Sequence, residues 1–176
     1  MVDYDPAWPV QFCQIRDKVW PVVSDVAVGV EHVGSTSVPG LAAKPVIDLD
    51  IVIPSRNELP LARAGLGRLG YEYQGDLGIE ERYAFRAPPG ERPHNLYVCC
   101  RQSVSLFNHI ALRDHLRTHP SDVASYSALK RRLAEQFPQD IGRYIEGKSE
   151  FILSILARYG LSADRSDAIR RANQTT

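Results

Sequence analysis

One run of residues limits this chain's folding options more than any other. In Pro45-Val46-Ile47-Asp48-Leu49-Asp50-Ile51-Val52-Ile53 the side chains alternate strictly. A period of two is the mark of a β-strand. Ile47, Leu49, Ile51 and Ile53 share one face, which is expected to pack on helices. Val46, Asp48, Asp50 and Val52 share the other, which is expected to look into a cleft or solvent. Two carboxylates at i and i+2 of a strand repel each other, and an apolar strand is a costly place for charge. A divalent cation answers both difficulties. Mg²⁺ takes one or two carboxylates together with substrate phosphates, the arrangement used in phosphoryl and nucleotidyl transfer. An Asp-x-Asp pair on an edge strand is also commonly a solvated face, so the pair alone does not decide function.

The preceding segment adds weight. Residues 28–33 read as a short strand that runs directly into Gly34-Ser35-Thr36-Ser37-Val38-Pro39-Gly40, a loop dense in turn residues. A glycine there lets backbone approach a ligand closely. The N–H groups of such a turn, with the Ser35 and Thr36 hydroxyls, make a phosphate-sized nest. Lys44, just before the acidic strand, offers a point charge for phosphate. A Gly/Pro-rich turn is common by itself. Its conjunction with an Asp-x-Asp strand shortly afterwards is much less so.

The remaining elements set the architecture. Apolar Phe12, Ile15, Val19 and Val22 recur at helical spacing, so residues 8–28 are predicted helical, with Pro21 as a kink or end. Residues 58–69 form an amphipathic helix closed by Gly70. Residues 71–73 open another extended piece. Residues 83–87 and 96–100 read as a strand pair joined by a polar loop. Helices follow over 107–118, 123–137 and 141–159. The expected fold is therefore α/β (α+β): a small mixed sheet flanked by helices, with a helical C-terminal layer. One domain is expected over 1–160, followed by a polar, flexible tail over 161–176.

Composition excludes several classes. Lys plus Arg and Asp plus Glu each number 21, for a net charge of zero. Coating an extended nucleic acid needs a basic surplus, so none is expected as a partner. Three cysteines, two of them the adjacent Cys99 and Cys100, make a poor disulfide framework. With neither a signal-peptide pattern nor a membrane-length apolar run, the expectation is a reduced, cytoplasmic protein.

His32 and His94 sit at strand ends near the expected cleft, and His94 is the stronger candidate to ligate metal, contact phosphate or act as base. His109, His115 and His119 lie in helical stretches and are read as non-metal. Arg113 and Arg117, four apart, share a helix face. Arg82 and Arg86 flank the strand at Tyr83 and are weaker candidates.

The stretch from His32 to Asp50, His-Val-Gly-Ser-Thr-Ser-Val-Pro-Gly-Leu-Ala-Ala-Lys-Pro-Val-Ile-Asp-Leu-Asp, closely resembles the signature of the GrpB (UPF0157-like) family. The likeness extends to Tyr4-Asp5-Pro6-Ala7-Trp8-Pro9, to His94-Asn95-Leu96-Tyr97-Val98, to the helical run 107–117, and to Tyr126, Lys130, Tyr144 and Lys148. It covers roughly residues 3–156. The resemblance implies a polymerase-beta-like nucleotidyltransferase fold, in which a Gly-Ser loop holds a triphosphate and acids of the Asp-x-Asp type bind Mg²⁺. It also brings in Lys130 and Lys148 as a basic wall facing the acidic strand. Domains of this kind occur fused to dephospho-coenzyme A kinase. One departure stands out: the superfamily's third acid, on a later strand, has no counterpart between Asn95 and Cys100. Glu80 and Glu81 lie upstream of the other candidate strand.

The expected function is Mg²⁺-dependent transfer of a nucleotidyl group from a nucleoside triphosphate to a small acceptor. Asp48 and Asp50 would be the catalytic and metal-binding pair. Gly34, Ser35, Lys44, His94, Lys130 and Lys148 would bind the nucleotide. The alternative is a non-catalytic module that binds a nucleotide or coenzyme A precursor and regulates or stabilises a partner enzyme.

Overall fold

The structure, a computed structural model, describes residues 1–160; the expected tail over 161–176 lies outside the described residues. The first helix, α1, spans Trp8–Val23 and buries Trp8, Phe12, Ile15, Val19 and Val23, a single stripe at spacings of three and four. It continues past Pro21 but stops well short of residue 28. Proline removes one N–H from the helical ladder, and Ser24 closes the end by donating its N–H to the Trp20 carbonyl.

Strand β1, Gly29–Val33, follows. A single 3₁₀ turn, Ser35–Ser37, leads on from it, and β2 covers Ile47–Ile53. A capping box at Ser55 and Glu58 starts the turn into helix α2, Leu59–Arg68. Gly70, at φ +84°, reverses the chain after it, as its sequence position predicts. Strands β3, Glu72–Tyr73, β4, Arg82–Arg86, and β5, His94–Cys100, complete one five-stranded sheet in the order β1-β2-β5-β4-β3. The β2–β5 pair is parallel and the other pairs are antiparallel. A parallel pair needs a long crossover, and α2 with the β3–β4 hairpin supplies it.

Three helices close the described chain: α3, Val104–Thr118; α4, Pro120–Gln136; and α5, Ile141–Leu156. Helix α3 begins three residues earlier than the apolar pattern predicts, because the Ser103 hydroxyl caps it by accepting the Leu106 N–H at 3.2 Å. Helix α3 ends at Thr118 as expected, and Pro120 opens the first turn of α4. No helix among the described residues is long and apolar enough to cross a membrane.

The two sheet faces carry different cores. Ile47, Leu49, Ile51, Ile53, Leu96, Val98, Tyr83 and Phe85 pack against α1 and α2. On the other face Val52 and Cys99 meet Leu106 of α3. The helical layer has a cluster of its own, which includes Val38 and Leu41 from the segment after β1 together with Leu116, Val123, Tyr126 and Ile155. That segment is therefore clamped between sheet and helices, and the acidic face of β2 is roofed by α3 instead of opening to bulk water. Asp50 is 0% exposed as a result, where the alternation alone suggested a cleft-facing or solvated carboxylate.

Candidate functional site

Register places the site's parts together. Val33 stands opposite Asp48 and Glu31 opposite Asp50 in the β1–β2 ladder, so the chain leaves β1 beside Asp48. The next residue, Gly34, has φ +66°, a left-handed conformation that side chains rarely adopt. A Cβ on Gly34 would lie 2.2 Å from Oδ2 of Asp48. Glycine is thus required twice over, by conformation and by space. Beyond it the 3₁₀ turn is held internally, the Ser37 hydroxyl donating to the Gly34 carbonyl at 2.6 Å.

Lys130 backs this loop from α4. It is 1% exposed, donates from Nζ to Ser35 Oγ at 2.9 Å, and also donates to the Ala42 carbonyl. The Ala42 N–H in turn donates to Ser127 Oγ. Burial, with the nearby Lys148 charge, lowers the Lys130 pKa to about 7.

The two aspartates differ in environment. Asp48 is half-buried and accepts from Asn95 Nδ2 at Oδ1, 2.7 Å, the two residues being partners across β2 and β5. Burial pushes its pKa above the usual carboxylate range, against the Asn95 hydrogen bond and the charges of His109 and Lys148. Asp50 meets Nδ1 of His109 through Oδ2 at 2.7 Å. Its other oxygen, Oδ1, is buried with no hydrogen-bond partner among the described residues. Burial disfavours the charged form of His109, but the Asp50 carboxylate outweighs it and raises the pKa.

Between sheet and helices lies a cavity of about 170 Å³. Its polar wall is Gly34, Ser35, Asp48, His109, Arg113 and Lys148, and its apolar floor is Val38, Leu41, Leu112, Leu116, Tyr126 and Ile152. Lys148 stands over the Tyr144 ring at 4.9 Å, and the exposed Lys44 stands over the same ring at 5.3 Å. Burial lowers the Lys148 pKa, Asp48 opposes the fall, and Lys44 adds to it.

Of the residues singled out in the sequence, Gly34, Ser35, Asp48 and Lys148 line one cavity. Asp50 and Lys130 stand directly behind it, and Lys44 stands beside Lys148. His94 does not join them. It pairs with Ile47 in the β2–β5 ladder and so points to the opposite sheet face. Both its ring nitrogens are engaged there, with the Tyr71 hydroxyl at 2.8 Å and the Arg92 carbonyl at 2.6 Å. His32 is likewise spent on the core, stacked on Phe12 and bonded to Thr36, and its pKa falls to about 4, chiefly by burial. Arg113 clasps Glu31, Asp114 and the His32 carbonyl, and Arg117 donates to the Ser37 carbonyl, so these arginines brace β1 and the loop. His115 and His119 stack on each other, and His115 bonds Asp122 and Tyr159 away from the cavity. Sequence reasoning missed His109. The available signal was its spacing of four from Arg113, which puts it on the same face of α3.

The positions of β5 beside the two aspartates are Asn95 and Tyr97, so no third acid stands there. The Glu81 carbonyl accepts from Cys100 N–H at the far end of β5, five residues from Asn95, or roughly 16 Å along a strand. Among the described residues no group of three or more His, Cys, Asp and Glu side chains is disposed to hold a metal ion. In donor chemistry the Asp48–Asp50 pair suits one Mg²⁺, a hard cation that takes carboxylate oxygens. Asp48 Oδ2 accepts no hydrogen bond among the described residues, and Asp50 Oδ1 is a buried oxygen without a partner among them.

A family model described as GrpB protein matches residues 1–158. The chain belongs to the GrpB family. Among its relatives, the UPF0157 protein YqkA of Bacillus subtilis is 32% identical over 149 residues, covering 85% of this chain. This GrpB chain spans 43% of that relative's length. The crystal structure of the conserved protein GrpB from Enterococcus faecalis superposes with a TM-score of 0.79 at 34% identity, over 90% of this chain and 98% of that one. A more distant likeness is to the Cid1 poly(U) polymerase with MgGTP bound: TM-score 0.54, 13% identity, 76% of this chain and 44% of that one. At that identity the likeness shows the fold alone: the chain shares its fold with that polymerase.

Proposed function

We propose that this chain transfers a nucleotidyl group from a nucleoside triphosphate to a small acceptor at the Gly34–Asp48 corner. The observation that carries the reading is the contact itself. A loop able to hold phosphate, backed by the buried amine of Lys130, is pressed against a carboxylate of the acidic strand. The nucleotidyltransferase fold supports it, as does the Mg²⁺ nucleotide named with the distant structural neighbour.

In this reading the backbone N–H groups after Gly34 and the Ser35 hydroxyl hold phosphate oxygens, and Lys130 fixes the Ser35 hydroxyl while placing charge behind it. Lys148 brings a second charge into the cavity, and Lys44 stands at its side. Asp48 and Asp50 would hold one Mg²⁺, which when bound offsets negative charge on the phosphates. His109 orients Asp50 by engaging Oδ2 and leaving Oδ1 free. Asp48 is placed to accept the acceptor's proton. The helical roof limits water, which strengthens each of these electrostatic interactions.

The test is pyrophosphate release from labelled nucleoside triphosphates with Mg²⁺ and a bacterial metabolite extract. Release is expected from the wild type and should fall by about two orders of magnitude or more in Asp48→Asn. A wild type that binds nucleotide yet releases no pyrophosphate would instead favour a second reading, a module that binds a nucleotide or coenzyme A precursor to regulate a partner. Asn95 beside Asp48, where an acid would complete a larger metal site, is the observation on its side.

A further inference from the structure

The cavity beside Asp48 has two parts: a polar wall at Gly34 and Ser35 that suits phosphate, and an apolar floor that does not. Its volume is about 170 Å³. Cavities that take drug-sized ligands run from about 300 Å³ upward. This one therefore does not enclose a whole nucleotide. Nor does the floor offer a platform for a base: Tyr126 is already stacked on Phe151 at 4.8 Å, with Lys130 over its ring at 4.7 Å. Phosphate oxygens laid against Leu41, Leu112 and Ile152 would lose water without gaining hydrogen bonds, so the triphosphate keeps to the Gly34-Ser35 wall and the floor is left for another group.

The distribution of charge narrows the occupant further. Asp48 presents Oδ2 at one side, the oxygen not taken by Asn95. The Arg113 guanidinium on the wall is already bound to Glu31 and Asp114, and the His109 imidazole is bound to Asp50. Lys148 is then the cation on this wall that forms no ion pair within 4 Å of an acidic side chain among the described residues.

We infer that this cavity is the acceptor subsite, and that the acceptor is a short aliphatic hydroxy acid. Its hydroxyl faces Asp48, its carboxylate meets Lys148, and its hydrocarbon lies on Leu41, Leu112 and Ile152. The inference rests on the transfer reading and names its substrate class. In the reaction the acceptor's hydroxyl oxygen forms the new bond to the α-phosphorus. The bond from that phosphorus to the bridging oxygen breaks, pyrophosphate leaves with the electron pair, and the hydroxyl proton passes to Asp48.

Saturation-transfer NMR on the whole protein tests the subsite directly. The probes are hydroxyisovalerate and hydroxybutyrate, with isovalerate and butanediol as controls lacking the hydroxyl or the carboxylate. A hydroxy acid should bind the wild type more tightly than either control. Lys148→Gln should weaken that binding about tenfold or more, the loss of one charge-assisted hydrogen bond, while leaving butanediol unchanged. Leu112→Trp and Ile152→Trp, each checked for folding by thermal melting, should abolish binding by filling the floor. Absence of hydroxy-acid binding to the wild type, or equal binding in folded filled variants, overturns the inference. The transfer reading is judged separately. A hydroxy acid that binds in this cavity-dependent way, yet is not consumed with nucleoside triphosphates and Mg²⁺, leaves the subsite standing and removes the reaction.

Discussion

Gly34 and Asp48 occupy space that only a glycine can share: a Cβ at residue 34 would stand 2.2 Å from one carboxylate oxygen and 2.8 Å from the Cβ of Asp48. Gly34→Ala must therefore shift the loop or the strand, and must also hold an L-residue at φ +66°. The expected cost is about 2 kcal/mol or more in urea unfolding. Part of it should be relieved by removing the obstacle. In a double-mutant cycle with Asp48→Ala, a coupling of about 1 kcal/mol or more is expected, and strict additivity would show that the clash is not what matters.

The two aspartates should respond differently to the same change. Asp48 is half-buried with a raised pKa, so Asp48→Asn should leave stability within about 1 kcal/mol of the wild type. Asp50 is enclosed and meets His109 at 2.7 Å. Asp50→Asn should cost about 1–3 kcal/mol by weakening a charge-assisted bond. His109→Ala should cost more, about 3–5 kcal/mol, because it leaves a buried carboxylate without its partner. Denaturation curves for the three variants give the order directly. Two carboxylates on one strand face looked equivalent in the sequence, and it is the roof of α3 that separates them.

Lys130 gives a pH signature. Its folded-state pKa of about 7 lies below its ordinary value of 10.5, so between those values the unfolded chain binds more protons than the folded one. Stability referable to this lysine should therefore rise as pH increases from about 7 towards 10, and be flat below 7. The difference in unfolding free energy between wild type and Lys130→Met, followed across that range, isolates the effect from other titrating groups. A flat difference would mean that the amine keeps its proton throughout.

Asn95 offers a gain-of-function test. Asn95→Asp replaces a donor to Asp48 with a third carboxylate on the same face. Like-charge repulsion should lower stability by about 1–3 kcal/mol without divalent metal. Mg²⁺ should restore much of that loss, with a larger rise in melting temperature than in the wild type. Equal Mg²⁺ responses in the two proteins would place the metal elsewhere.

Much of the fold was legible because local patterns and tertiary structure agree. The alternation of Ile47 to Ile53 gave β2 and its two faces, and the Gly34-Ser35 turn gave the loop beside it. The helix over 58–69 with Gly70 after it was also plain. What the sequence concealed depends on pairing between distant segments. The parallel match of β2 with β5 puts Asn95 beside Asp48 and turns His94 to the far face, and no local signal fixes that register. The start of α3 was hidden because its cap, Ser103, lies among residues without apolar periodicity. His109 was passed over because its partner Asp50 is fifty-nine residues away. The shared helix face of Arg113 and Arg117 was legible, but not that they spend their hydrogen bonds on β1 and the loop.

The central claim is that the Gly34-Ser35 loop and the acids of β2 form one metal-dependent triphosphate site. Calorimetric titration of a non-hydrolysable nucleoside triphosphate, with Mg²⁺ and then with chelator, tests it most directly. The account predicts that chelation weakens binding to the wild type by at least about tenfold, and that Asp48→Asn, still folded, binds weakly whether metal is present or not. Binding of equal strength with and without Mg²⁺ in the wild type would contradict it.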